Sequence, residues 1–241
     1  MLRFGYWKSQ LLDSFSEISH GFASEPFSFN LYFDVRNIKA FIYLYKLTKI
    51  PFKNWIIAKQ IHSDNINYIK RDNNLFFPKL VKNTDALLVS EKNKMIIMFF
   101  ADCFPIYIYI PKIPLVGLIH VGWRGAIKRF PFKVLKELFE NYKLSPNEIY
   151  LAIGPGIQKC CFQVGRNFIN YLDEQSMKYL EKINDSLYFN LLGFILSQIF
   201  KYNLPSENLD ISNICTKCSL NFYSFRRDKT NKRNVGFIYI K

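Results

Sequence analysis

His62, Cys103 and His120 lie far apart in the chain, yet together they offer two imidazole nitrogens and a thiol, donor types that suit a borderline-soft divalent cation. Each sits in a short polar or glycine-bearing motif at the end of an apolar run: Lys59-Gln60-Ile61-His62-Ser63-Asp64, Phe100-Ala101-Asp102-Cys103-Phe104-Pro105 and His120-Val121-Gly122-Trp123-Arg124-Gly125. The chain has only three histidines, so two of them at strand ends is informative. A His-Cys-His set supplies three N/S ligands, the number a catalytic zinc uses when its fourth position stays open to water or substrate. One bound zinc ion is the expectation.

Taken singly, each residue also has a plainer explanation. A lone histidine after a strand is usually a hydrogen-bonded structural residue, and a lone cysteine usually packs as a small hydrophobe. Gln60 and Asp64 are candidate partners to orient His62, and Asp102 can serve as general base or as a hydrogen-bonding support for Cys103. Gly122 and Gly125 bracket a Trp-Arg pair before a helix, which lets backbone approach a ligand while helix N-terminal amides and Arg124 face an anion. Trp123 reads first as a core residue and second as a stacking platform. Near the C-terminus, Arg226-Arg227-Asp228 can bind phosphate or form a surface ion pair.

Composition narrows the class. The net charge of +14 raises nucleic-acid binding, but the basic residues are dispersed apart from one C-terminal cluster, so a small anionic ligand is favoured. Hydrophobic residues at 49% and aromatic ones at 17% are ample for a substantial core. No apolar run approaches the roughly 20 residues needed to span a bilayer. The opening residues lack the pattern of a secretory signal, so a cytoplasmic soluble protein is expected. Five cysteines without an export signal argue against a disulfide framework. Cys160-Cys161 are adjacent, and Cys215-x-x-Cys218 has the spacing of a redox pair or half a zinc site, with no second Cys-x-x-Cys to complete it.

The elements that must position these residues are legible as patterns. Asp34 is placed to cap a helix with apolar positions at Val35, Ile38, Phe41, Ile42 and Tyr45, ended by Pro51. Short β-rich runs follow, from Trp55, Ile66, Ala86, Met95, Ile106 and Leu115, several apolar at consecutive positions as in strands covered on both faces. Gly122 and Gly125 lead to a helix reaching about Tyr142 that buries Val134, Leu135, Leu138 and Phe139, with Pro131 either starting its regular part or kinking it. A strand over 149–153, helices near 168–180 and 191–202, and strands near 209–211 and 235–240 complete the reading. Strands first and helices mixed in later predict an α+β fold, a single layered domain over residues 1–241 with mixed sheets flanked by helices.

Together the motifs resemble the YfiH family, also called the multicopper polyphenol oxidoreductase or purine nucleoside phosphorylase family. The matching stretches are SHGF (19–22), FNL (29–31), QIH (60–62), TDALLVS (84–90), ADCFPIYI (101–108), HVGWRG (120–125), IGPGIQKCCFQV (153–164), CTKC (215–218) and FYSFRRD (222–228), in order and nearly end to end. The resemblance implies a YfiH-like layered fold and a zinc site formed by His62, Cys103 and His120. It implies phosphorolysis of adenosine, inosine, guanosine and 5'-methylthioadenosine, with adenosine deamination at the same site. Asn30, Arg124, Arg226 and Arg227 are then expected to bind nucleoside or phosphate, and Asp102 to handle protons. Two departures bear on substrate preference. The family's longer loop after SHGF is replaced by a direct passage through Ala23-Ser24-Glu25-Pro26 to Asn30, and its usual Tyr-Glu after the paired cysteines is Phe162-Gln163.

Other functions fit some of the residues. A zinc hydrolase editing an amide of a peptidoglycan precursor would use the same metal, and a Cys103-His120 pair can hydrolyse without one. A zinc-stabilised, non-catalytic interaction protein would need a fourth protein ligand. Copper polyphenol oxidation is least favoured, because three histidines are too few for several coppers when a blue site alone takes two. Small-molecule nucleoside and phosphate are the expected partners, with no membrane or nucleic acid and with a monomer favoured.

Overall fold

The computed structural model describes residues 5–24, 38–70 and 77–241. In chain order the first elements are β1 (Tyr6–Trp7), α1 (Gln10–Asp13), β2 (Ile18–Ala23), α2 (Ile38–Thr48), β3 (Trp55–Lys59), β4 (Ile66–Ile69) and β5 (Lys79–Lys82). Next come β6 (Ala86–Val89), β7 (Met95–Phe100), β8 (Phe104–Ile110), β9 (Leu115–Val121), α3 (Trp123–Ile127), α4 (Phe130–Tyr142) and β10 (Tyr150–Ile153). The remainder is β11 (Gln163–Val164), α5 (Glu174–Met177), β12 (Leu180–Ile183), β13 (Ser186–Phe189), α6 (Leu191–Ile199), β14 (Leu209–Ile211), α7 (Phe225–Asp228) and β15 (Asn234–Ile240).

Two six-stranded mixed sheets form the body, in the orders β1-β2-β15-β7-β3-β5 and β14-β10-β8-β9-β6-β4. The apolar runs look continuous in sequence, but each resolves into a strict alternation between two cores. On β9, Val116 and Leu118 face a core shared by the two sheets, while Leu115, Ile119 and Val121 face the helical side. On β7, Ile96, Met98 and Phe100 enter the shared core, and Met95 and Ile97 enter a third cluster with Trp55 and Leu44 of α2. Period-two side-chain geometry thus turns one apolar string into two buried faces. The result is four layers: α2, the first sheet, the second sheet, then α3, α4 and α6. This is the expected α+β arrangement of mixed sheets flanked by helices.

Differences from the sequence reading have physical causes. Asp34 and Val35 lie outside the described residues. In α2 Leu44 and Thr48 are buried and Phe41 packs against the same cluster as Leu44, whereas Ile42 and Tyr45, expected on the buried stripe, are exposed. The helix expected near 168–180 is a 3-10 turn (Arg166–Tyr171) and the single-turn α5, followed by β12. Asp173 caps and ends that stretch: its side chain accepts from the Ser176 amide while the Ser176 hydroxyl accepts from the Asp173 amide. A three-stranded sheet, β11-β13-β12, has no counterpart in the sequence reading, because Leu180-Glu181-Lys182-Ile183 is half polar and its strands are edge-like.

Candidate metal centre and anion cleft

His62, Cys103 and His120 meet where β3, β7, β8 and β9 reach the same end of the inter-sheet layer. Strand parity sets the direction. Even-numbered residues of β9 face the shared core, so His120 follows Leu118 inward and its ring lies 5.4 Å from that of Phe100. Cys103 occupies the turn between β7 and β8, and His62 the turn after β3. The three ligand atoms lie within 4.8 Å of one another, and the two imidazoles are 4.9 Å apart between centroids. The cluster can hold a metal ion: its donors are of the right types and already gathered.

A carboxylate to which the sequence reading gives no role organises this centre. Asp85, fully buried, accepts from the backbone amides of Ile61, His62 and Ser63 at 3.3, 3.1 and 2.7 Å and from the Ser63 hydroxyl at 2.7 Å. It also pairs with His120 Nδ1 at 2.8 Å, which leaves Nε2 as the ring's free ligand atom. The partners expected for His62 are engaged elsewhere. Gln60 makes a reciprocal pair of hydrogen bonds with the Phe99 backbone, and Asp64 pairs with Lys128 and Lys133. Thr84-Asp85 directly ahead of an all-apolar strand gives no distinctive signal, because an aspartate there has the look of a turn residue.

Two site residues occupy left-handed backbone, His62 at φ 59° and Asp102 at φ 84°. Such residues persist only when their surroundings over-determine them. Asp85 clamps the first. For Asp102, one carboxylate oxygen accepts from Thr216 Oγ1 and the other from the Arg226 amide, each at 2.7 Å, while its carbonyl accepts from the Ile157 amide. Gly122 is required by proximity: a Cβ there would lie 2.8 Å from Cys103 Sγ and 3.4 Å from His62 Cδ2.

Electrostatics favour the ionised forms of Asp85 and Cys103 and the protonated form of His120. Burial pushes the Asp85 carboxyl up, but hydrogen bonds from His120 and Ser63 outweigh it and hold the group at about 2. Burial likewise pushes the Cys103 thiol up, and the facing His120, then His62, bring it down to about 6. Burial pushes His120 down, but Cys103 and Asp85 raise it to about 9. Cys103 and His120 thus each favour the charged form of the other, and a divalent cation would displace the proton that the pair holds.

The centre opens into a cleft of about 460 Å³. Among the described residues, four cations line it, Arg124, Arg226, Lys229 and Arg233, against a single carboxylate, Asp102. Arg124 lies over the Trp123 ring at 4.4 Å, and Arg226 lies over Phe162 at 5.2 Å while donating to the Gln163 carbonyl. Trp123 packs on Phe168 and Tyr171 and also borders the cleft. Arg233 stands in the C-terminal basic cluster, which the sequence does not tie to this site; its Nη1 donates to the carbonyls of Thr230 and Lys232, and burial lowers its pKa. Arg227 does not border the cleft. Its guanidinium donates to the carbonyls of Thr216, Lys217, Ser219 and Phe222 and pairs with Asp228. Asn30 lies outside the described residues.

Known proteins share this fold. The chain is 29% identical to purine nucleoside phosphorylase YlmD of Geobacillus stearothermophilus over 199 residues, covering 78% of this chain and 73% of the relative. It is 26% identical to purine nucleoside phosphorylase YlmD of Bacillus subtilis over 250 aligned residues, covering 96% of this chain and 89% of the relative. The crystal structure of the Bacillus licheniformis hypothetical protein YfiH superposes with a TM-score of 0.81 at 26% identity, covering 93% of each chain. The sequence model of one family matches residues 15–241, almost the whole length, and the chain therefore belongs to the family described as multi-copper polyphenol oxidoreductase laccase, the YfiH family.

Proposed function

We propose that this protein is a zinc-dependent purine nucleoside phosphorylase that also deaminates adenosine. The observation that carries the reading is the juxtaposition of the His62-Cys103-His120 centre with a cleft whose walls are cationic and aromatic. Relatives named purine nucleoside phosphorylase support it. A cell-wall amide hydrolase would use the same centre, but the concentration of arginines suits an inorganic phosphate co-substrate better.

In phosphorolysis a phosphate oxygen bonds to the ribose C1' as the C1'–N9 bond breaks, giving ribose 1-phosphate and the free base. Arg124 and Arg226 are assigned to holding the phosphate, Arg226 with its backbone fixed through Asp102. Phe162, Phe225 and Leu191 provide apolar wall for the nucleoside. Asp102 is assigned to proton handling: each of its oxygens already accepts one hydrogen bond and retains acceptor capacity for a proton released by the attacking phosphate or water. His62, Cys103 and His120 would hold the zinc, which supplies Lewis acidity toward a substrate atom. Asp85 keeps the His120 tautomer fixed.

The test is a nucleoside screen on the zinc-replete protein with and without phosphate. Adenosine with phosphate should yield adenine and ribose 1-phosphate, and adenosine alone should yield inosine and ammonia. His62→Ala and Cys103→Ala should each lose metal and both activities, and Arg226→Ala should lower phosphorolysis about 100-fold, the usual cost of one charge-stabilising donor. Inert nucleosides, or full turnover by metal-free Cys103→Ala, would overturn the assignment.

A further inference from the structure

The fold gathers four cysteines that the sequence holds as two unrelated pairs. Cys160-Cys161 lie in the loop between β10 and β11, and Cys215-Thr216-Lys217-Cys218 lie between β14 and α7. A parallel bridge of Gly156 to Cys215 brings the loops together, secured by the Thr216 amide donating to the Gly156 carbonyl at 3.1 Å. All four sulfurs lie within 4.8 Å of one another. Cys160 Sγ is 3.6 Å from Cys161 Sγ and 3.8 Å from Cys218 Sγ, and Cys161 and Cys218 are 3.2 Å apart. A tetrahedral zinc with bonds of about 2.3 Å separates its sulfurs by about 3.8 Å, so the cluster is near the size such an ion requires.

We propose that Cys160, Cys161, Cys215 and Cys218 form a second metal site, a closed four-thiolate zinc site distinct from the His62-Cys103-His120 centre. Two observations carry it beyond proximity. The Gln158 amide donates to Cys215 Sγ at 3.5 Å, the kind of supporting hydrogen bond that orients a metal-ligating sulfur. Two separate disulfides account poorly for the geometry, because Cys218 contacts both cysteines of the adjacent pair rather than a single partner. Binding forms four Zn–S bonds and releases the four thiol protons to solvent.

The site has a structural consequence for the cleft. Thr216, inside the Cys-x-x-Cys turn, donates to Asp102, and Phe162, directly after Cys161, borders the cleft under Arg226. Arg227 ties the carbonyls of Thr216, Lys217 and Ser219 to the same framework. An ion here would fasten the two loops that supply one wall of the cleft. A site with four protein ligands leaves no position for substrate, so its role is to hold rather than to react.

The experiment is metal analysis of the full-length chain purified in reducing buffer with zinc in the growth medium. Wild-type protein should carry two zinc ions per chain, Cys103→Ala one, and Cys218→Ser one. Where Cys218→Ser fails to fold, cobalt-loaded Cys103→Ala decides: its remaining ion should show the intense thiolate-to-cobalt charge-transfer bands of an all-sulfur tetrahedral sphere. One zinc in the wild type that disappears in Cys103→Ala would overturn the proposal. So would four cluster thiols reacting freely with a thiol reagent in folded, zinc-replete protein, or a Cys161–Cys218 disulfide in protein purified under reduction. A single zinc that survives Cys103→Ala and keeps the all-sulfur spectrum would support this site while defeating the catalytic-zinc reading, so the two can fail separately.

Discussion

At the scale of single residues, Asp85 is the group on which the candidate centre depends most. Its two oxygens accept from three successive amides, a hydroxyl and an imidazole, a density of donors that only an ionised carboxylate can satisfy. Asp85→Asn replaces one acceptor oxygen by an amide that must face other donors. The expected cost is about 2–3 kcal/mol of stability, from loss of buried charge-assisted hydrogen bonds, together with metal binding weaker by about 10–100-fold as His120 loses its orienting partner. Chelator competition alongside thermal melts measures both, and an Asp85→Asn variant that binds zinc as tightly as wild type would show that the carboxylate does not orient the ligand. The three donors themselves could be read from the sequence because histidine is scarce and each sits at a strand end. Asp85 could not, since an aspartate ahead of a strand looks like a turn residue until burial shows that it has no water to face. Arg227 illustrates the converse: its place beside Arg226 suggested a shared role, but a four-residue α7 sends adjacent side chains in different directions, one to the cleft and one to the loop beneath.

At the scale of elements, a histidine outside the centre links two of them. His20 on β2 is fully buried, and its Nε2 accepts from the backbone amide of Ser9, the residue that caps α1 through its hydroxyl. Accepting there requires the neutral ring with its proton on Nδ1, and among the described residues that atom has no hydrogen-bond partner. Burial, then Lys8, lowers the pKa to about 4 from 6.5, against weaker opposing pulls from Asp13 and Asp210. The folded state therefore binds fewer protons than the unfolded state between these values, so this contribution to stability is complete above pH 6.5 and is lost as pH falls toward 4. The loss should reach roughly 3 kcal/mol at its acid limit. Denaturant titrations across that interval should fall more steeply for wild type than for His20→Gln, whose side chain can accept from Ser9 but does not titrate. Equal slopes would show that His20 is not the responsible group. The strand carrying His20 is not legible in the sequence: Ile18-Ser19-His20-Gly21-Phe22 has neither alternation nor β-branched density, and its strand character comes from pairing with β15.

At the scale of the whole molecule, the sheets share a core, and that determines how they come apart. Leu118 and Val116 from the second sheet pack with Ile96, Met98 and Ile238 from the first, so neither sheet can lose its inner face alone without exposing the other's. The metal centre sits at the end of this layer, drawing His62 from the first sheet, His120 from the second and Cys103 from the turn that joins them, so its geometry depends on the sheets staying in register. We propose that the two sheets fold as one cooperative unit, as the sequence reading of a single domain implies. Calorimetry of the zinc-replete protein should then give one transition, with near- and far-ultraviolet signals moving together. Leu118→Ala, which empties a fully buried position in the shared layer, should lower that whole transition by about 2–5 kcal/mol, the span measured for large-to-small core changes. The same substitution should weaken zinc binding at His62-Cys103-His120, because the sheet-to-sheet spacing sets the distance between the histidines. Two separated transitions, or a destabilised second sheet that leaves the first folded, would show that the layers are independent and that the ligands are brought together by the turns alone.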